Sequence, residues 1–146
     1  MSLVRPHLEY ANTVWGPHYV TDQQDLEKVQ RRATKLIQSI KDLPYEDDRL
    51  RKLNMPSLCH RRLRGDMINT YKIVTGSYKV DKSIFFQPAR ETTTRGHRFK
   101  LYKQHARTLG KQKTFGNRVL NEWNKLPPYV VEAENVNAFK NRLDTH

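Results

Sequence analysis

The sequence is poor in several things, and each shortage narrows its chemistry. It holds one cysteine, Cys59. That excludes an internal disulfide and fits a reducing, intracellular setting, nuclear or cytoplasmic. Cys59 and His60 are adjacent, but no second pair stands at zinc-ligand spacing, so no metal or other cofactor is expected in this chain. No run of about 20 apolar residues occurs and no signal peptide is visible, so no membrane partner is expected. None of the six glycines sits in a phosphate-cradling loop. No elbow motif marks a nucleophile, and no small-molecule substrate is expected. Acid is also scarce: 15 Asp and Glu face 27 Lys and Arg, a formal net charge of +12.

What is present is one domain's worth of chain, 146 residues. The apolar share is 36% and mean hydropathy is −0.87. Both imply a small core, or one completed from outside the chain. A sequence pI near 10.0 speaks about partners, and polyanions come first.

The periodicity predicts a mainly α protein. Over Asp25–Ile40, apolar Leu26, Val29, Ala33, Leu36, Ile37 and Ile40 recur at helical spacing, while Lys28, Arg31, Arg32 and Lys35 gather on the other side. Thr21 with Gln24 reads as a reciprocal capping pair before that helix. Upstream, Leu3, Val4, Leu8, Ala11, Val14 and Trp15 are packing residues that begin directly after Met1, which reads as the tail of a longer helix. Gly16-Pro17 breaks the chain. Tyr45–Leu53 predicts a brief helix with Leu50 and Leu53 inward. A longer helix is expected from Pro56-Ser57 to about Val74, closed by Gly76. Leu63, Met67, Tyr71 and Val74 would bury, Arg61 and Arg62 would face solvent, and His60 reads as a packed histidine.

The pattern weakens over 77–94, a linker. From Arg90 to Arg118 the chain is strongly basic, with Phe99, Leu101 and Tyr102 in partial alternation, which predicts a short basic β-hairpin at 95–103. Helices follow at Phe115, Val119, Trp123 and Leu126, stopped by Pro127-Pro128, and at Val136, Phe139 and Leu143, capped by Asn135. The expected organisation is therefore a small helical bundle over 1–76, the linker, and a hairpin with two further helices over 95–146.

One constellation resembles a catalytic signature. Tyr45-Glu46-Asp47-Asp48 matches a Tyr-x-Asp-Asp box, in which paired aspartates hold two metal ions for phosphoryl transfer. Such a box needs a strand–turn–strand, whereas Pro44 precedes it and helical spacing follows. Acids in a first helical turn have a structural reason to be there. The second signal is basic residues interleaved with aromatics at Arg95, Arg98, Phe99, Lys100, Tyr102 and Lys103. Lysine and arginine neutralise phosphates, and exposed rings stack on unpaired bases. Phe99 and Tyr102 equally suit the core of a charged hairpin.

In order along the chain stand Leu3-Val4-Arg5-Pro6-His7-Leu8-Glu9-Tyr10-Ala11 with Trp15, and Leu26-Glu27-Lys28-Val29-Gln30-Arg31-Arg32-Ala33. Then come Arg61-Arg62-Leu63-Arg64-Gly65-Asp66, Arg95-Gly96-His97 and Asn121-Glu122-Trp123-Asn124-Lys125-Leu126-Pro127. This order resembles the region behind the polymerase core in LINE-type (non-LTR) retrotransposon reverse transcriptases, the jockey-like and chicken-repeat-like group. The resemblance implies a helical thumb and C-terminal extension of an RNA-directed DNA polymerase, gripping template–primer of RNA or DNA beside an upstream polymerase domain. It implies that the catalytic aspartates and their divalent metal belong to palm sequence upstream of Leu3, so this chain alone would be inactive. Against that pattern, the second aspartate of Glu46-Asp47-Asp48 looks like a one-residue insertion.

The expected nucleic-acid-binding residues are Lys28, Arg31, Arg32, Lys35, Arg61, Arg62, Arg64, Arg95, Arg98, Lys100, Lys103 and Lys113. The alternative is a protein-interaction or assembly module, docking Leu3, Leu8, Val14 and Trp15 on a polymerase core or a second copy.

Overall fold

A computed structural model describes residues 4–17, 19–89, 96–103, 105 and 107–146, the side chain of Asp47 excepted. It is mainly helical, and no strand occurs among the described residues. The chain divides into two compact units, Met1–Leu63 and Arg64–His146. The expected division at 76 therefore moves to the middle of a helix.

In the first unit, α1 (Val4–Glu9) and α2 (Asn12–Trp15) are separated by Ala11 in a left-handed conformation, φ 47°. Helix α3 spans Val20–Lys35. It begins earlier than the expected capping pair: Tyr19 is the cap residue, and Thr21 lies inside the helix. It also ends earlier, because Ile37 is extended and Gln38–Ile40 form a separate 3-10 turn that buries Ile40. Tyr45–Arg49 make a π turn, with Arg49 N–H donating to Pro44 O at 2.9 Å, and α4 (Leu50–Lys52) follows. A π turn is how a helix absorbs one surplus residue without shifting those after it. Beyond this turn Leu50 points inward.

Helix α5 runs Leu58–Val74 and ends as expected, with Gly76 at φ 75° where a Cβ would be strained. Its residues from Arg64 onward belong to the second unit, because Met67, Ile68, Tyr71 and Ile73 pack into that unit's core. There α6 (Leu109–Gln112), α7 (Phe115–Arg118), α8 (Leu120–Lys125), α9 (Pro128–Val131) and α10 (Val136–Asp144) follow. Phe115, Val119, Trp123 and Leu126 are all buried, as their spacing predicts. Pro128 opens α9, and the Asn135 side chain accepts from Ala138 N–H at 2.9 Å, capping α10. Trp123 and Phe139 are fully enclosed, and Phe139 stacks on Tyr71 at 4.3 Å between ring centres. A core ring of this kind contributes about 3–5 kcal/mol against alanine.

The expected hairpin at 95–103 is corrected. Its pairing partner lies upstream: Pro88 and Leu101 form an isolated antiparallel bridge, flanked by Ala89 N–H to Lys100 O and Tyr102 N–H to Gln87 O. Pro88 needs no amide hydrogen at such a position. On its other side Leu101 meets a side chain instead of a strand. Asn124 accepts from Leu101 N–H at 3.0 Å and donates to Leu101 O at 2.8 Å, which closes the edge. Trp123 Nε1–H donates to Phe99 O at 2.9 Å. The Trp-Asn pair thus grips this segment by its backbone.

Candidate nucleic-acid interface

The packing of α3 turns on polar residues. Gln30 and Thr34 are buried, Glu27 is half-buried, and Val29 and Leu36 are exposed, at 43% and 81%. At about 100° per residue, the buried stripe is rotated by up to one position from the apolar one. Partners explain the rotation. Glu27 accepts from Leu58 N–H at 2.9 Å, from Cys59 N–H at 3.3 Å and from the Tyr45 hydroxyl. It thereby satisfies free amides at the start of α5. Gln30 donates to Tyr45 Oη at 2.9 Å and accepts from Arg61. Burial and the Glu27 hydrogen bond push the Tyr45 hydroxyl well above its ordinary value. Buried Arg49 donates to the carbonyls of Lys41 at 2.9 Å and Leu43 at 2.7 Å, which secures the turn beyond α3.

This rotation leaves Lys28, Arg31, Arg32 and Lys35 exposed as one stripe, at spacings of three and four. Lys28 pairs with Asp25 at 2.8 Å. Arg31 lies over the Tyr45 ring at 4.8 Å and 3.7 Å from Glu46. Arg32 and Lys35 have no carboxylate partner among the described residues.

The expected arginines of α5 are corrected. Arg61 and Arg62 are both buried, 8% exposed, while Leu63, expected in the core, is exposed. Arg61 pairs with Glu9 at 2.9 Å, and burial pushes its guanidinium below the ordinary value against the opposing pull of Glu9. Arg62 lies over Trp15 at 4.6 Å and donates to Asn12 Oδ1 at 2.6 Å. Within the second unit, Arg64 makes a two-pronged pair with Asp144, at 2.5 and 2.7 Å. All three hold elements together. His60 is exposed, not packed.

In the basic segment, Arg95 lies outside the described residues. Arg98 is exposed over the Phe99 ring at 4.8 Å, and Lys100 is half-buried. Phe99 packs against the core whereas Tyr102 is 54% exposed, so the two rings have different roles. Lys103 and Lys113 come together in a cleft of about 640 Å³ with His105, Gln112, Asn117, Arg118 and Asn121, and among the described residues no carboxylate lines it. Arg118 is held by buried Asp66, at 3.0 Å. Sequence reading missed His105, Asn117 and Asn121 because isolated polar residues carry no periodic signal.

The Tyr45–Asp48 backbone forms a π turn followed by helix, not a strand–turn–strand. Among the described residues no three His, Cys, Asp or Glu side chains are grouped to hold a metal ion, and no helix is long and apolar enough to cross a membrane. In comparisons with protein-family models, characterised proteins and solved structures, nothing matches the chain.

Proposed function

We propose that this chain is an intracellular nucleic-acid-binding module, derived from the C-terminal region of a LINE-type RNA-directed DNA polymerase. It grips template–primer through phosphate contacts. The observation that carries the reading is the α3 stripe: Lys28, Arg31, Arg32 and Lys35 stand exposed on a helix whose buried side is secured by Glu27, Gln30 and Thr34. Contacts of this kind bind the backbone without reading sequence. Polymerisation itself would need the aspartates and divalent metal of an upstream palm.

With Arg61 and Arg62 buried and Arg64 paired with Asp144, the reading counts on the four α3 cations for duplex. On a fluorescein-labelled DNA duplex, log affinity should fall against log salt with a slope of roughly −3.6, or about 150-fold between 50 and 200 mM. Arg31→Ala/Arg32→Ala/Lys35→Ala should flatten the slope to about −1. A parent slope near zero, or a triple variant that binds like the parent, refutes the reading.

A docking role has narrower support. Val14 and Trp15 are 83% and 43% exposed, but Leu8 is buried and Leu3 lies outside the described residues.

A further inference from the structure

The second unit holds two neighbouring hollows that the α3 stripe does not use. One is the cleft lined by Lys103, His105, Lys113 and Arg118. The other is a slot of about 290 Å³ whose walls include Ile84, Phe85, Tyr102, Phe115 and Leu120. Asn117 lines both. Successive side chains of an extended segment point to opposite sides. Accordingly Tyr102 lines the slot and Lys103 the cleft.

The slot has the character of an aromatic platform. Phe85 and Tyr102 are 40% and 54% exposed, so neither ring is spent on the core. Phe85 is braced edge-on by buried Phe115, at 6.3 Å and 78°. Its backbone presses close to α7: a Cβ on Gly116 would stand 2.6 Å from Phe85 O, so the approach requires glycine. The cleft is its chemical complement. Its basic side chains are Lys103, Lys113 and Arg118, the last of them paired with Asp66. Stacking surface beside a basic hollow matches the two halves of a nucleotide. The cleft is more than twice the volume of the slot, room for the backbone on either side of one base.

We propose that the second unit binds single-stranded nucleic acid here, one unpaired base in the Phe85–Tyr102 slot and the adjoining phosphates in the Lys103–Lys113 cleft. The site rests on the reading above only for its ligand class, since its residues are all distinct from those of α3.

The test uses fluorescence anisotropy of the full chain with fluorescein-labelled dT12. Tyr102→Ala should weaken binding about 5- to 150-fold with the salt slope unchanged, because stacking is lost and no charge is. Tyr102→Phe should bind as the parent does. Lys103→Ala/Lys113→Ala should reduce the slope by about 1.4. A blunt DNA duplex should respond to none of these, and the Tyr102→Ala loss should persist in the α3 triple variant. Failure of the α3 grip on duplex therefore leaves this measurement readable. Unchanged dT12 binding by Tyr102→Ala, with its melting temperature retained, overturns the proposal. Displacement of dT12 by micromolar AMP overturns the strand assignment in favour of a free nucleotide. Displacement by neither AMP nor inorganic phosphate below millimolar supports it.

Discussion

Replacing Glu27 by alanine should cost more stability than removing the exposed hydrophobe Val29 or Leu36, the reverse of what hydropathy would rank. Glu27 accepts from two amides at the start of α5 and from the Tyr45 hydroxyl. Losing an acceptor for a helix's first amides costs about 1 kcal/mol. A buried hydroxyl and amide left without their partner add about 1–3 kcal/mol. The sum, about 3 kcal/mol, should lower the melting temperature by roughly 6–12 °C in a chain of this size. Val29→Ser and Leu36→Ser, both at exposed positions, should stay within about 0.5 kcal/mol of the parent. So should Lys28→Ala, whose pair with Asp25 is well solvated. Urea unfolding followed by far-UV circular dichroism gives all four values. If Val29→Ser costs more than Glu27→Ala, the apolar stripe is the packed one and the exposed basic stripe loses its basis.

Two further outcomes concern the second unit. Burial holds the His97 imidazole below its ordinary value, with Nε2 against Trp123 O at 3.2 Å and Nδ1 without a partner among the described residues. The unfolded chain therefore takes up that proton first, and stability should fall as pH drops below about 6.5, by at most about 1.4 kcal/mol per unit. His97→Gln should remove this component, and equal pH dependence in parent and variant would refute the assignment. Asn124→Ala strips both partners from the Leu101 backbone and should cost about 1–3 kcal/mol. Hydrogen exchange at the Leu101 amide checks it, since protection equal to the parent's would show that the side chain does not close that edge.

What could be read from the sequence was local. Gly76 ends α5 and Asn135 caps α10 because each acts within a turn of its own position. The Phe115–Val119–Trp123–Leu126 stripe buries because every member is apolar and the spacing puts them on one side. What failed depended on distant partners. Periodicity places Arg61 and Arg62 in solvent; Glu9, Gln30, Asn12 and Trp15 draw them inward, and none of those is near in sequence. On α3 the same blindness reversed Val29 and Gln30. The alternation at 99–102 suggested a hairpin, whereas Leu101 makes a single bridge to Pro88, and its own backbone groups bond to an asparagine side chain. The exposure of the α3 cations was legible from charge spacing alone, whereas the cleft at Lys103 required the fold to assemble it.

The division within α5 bears on how the protein can be dissected. Cutting after Gly76, where composition invites it, would strand Met67, Ile68, Tyr71 and Ile73 on the leading fragment with the rings that cover them left behind. The severed piece would carry a bare oily ridge and tend to clump, and the remainder would be missing a wall.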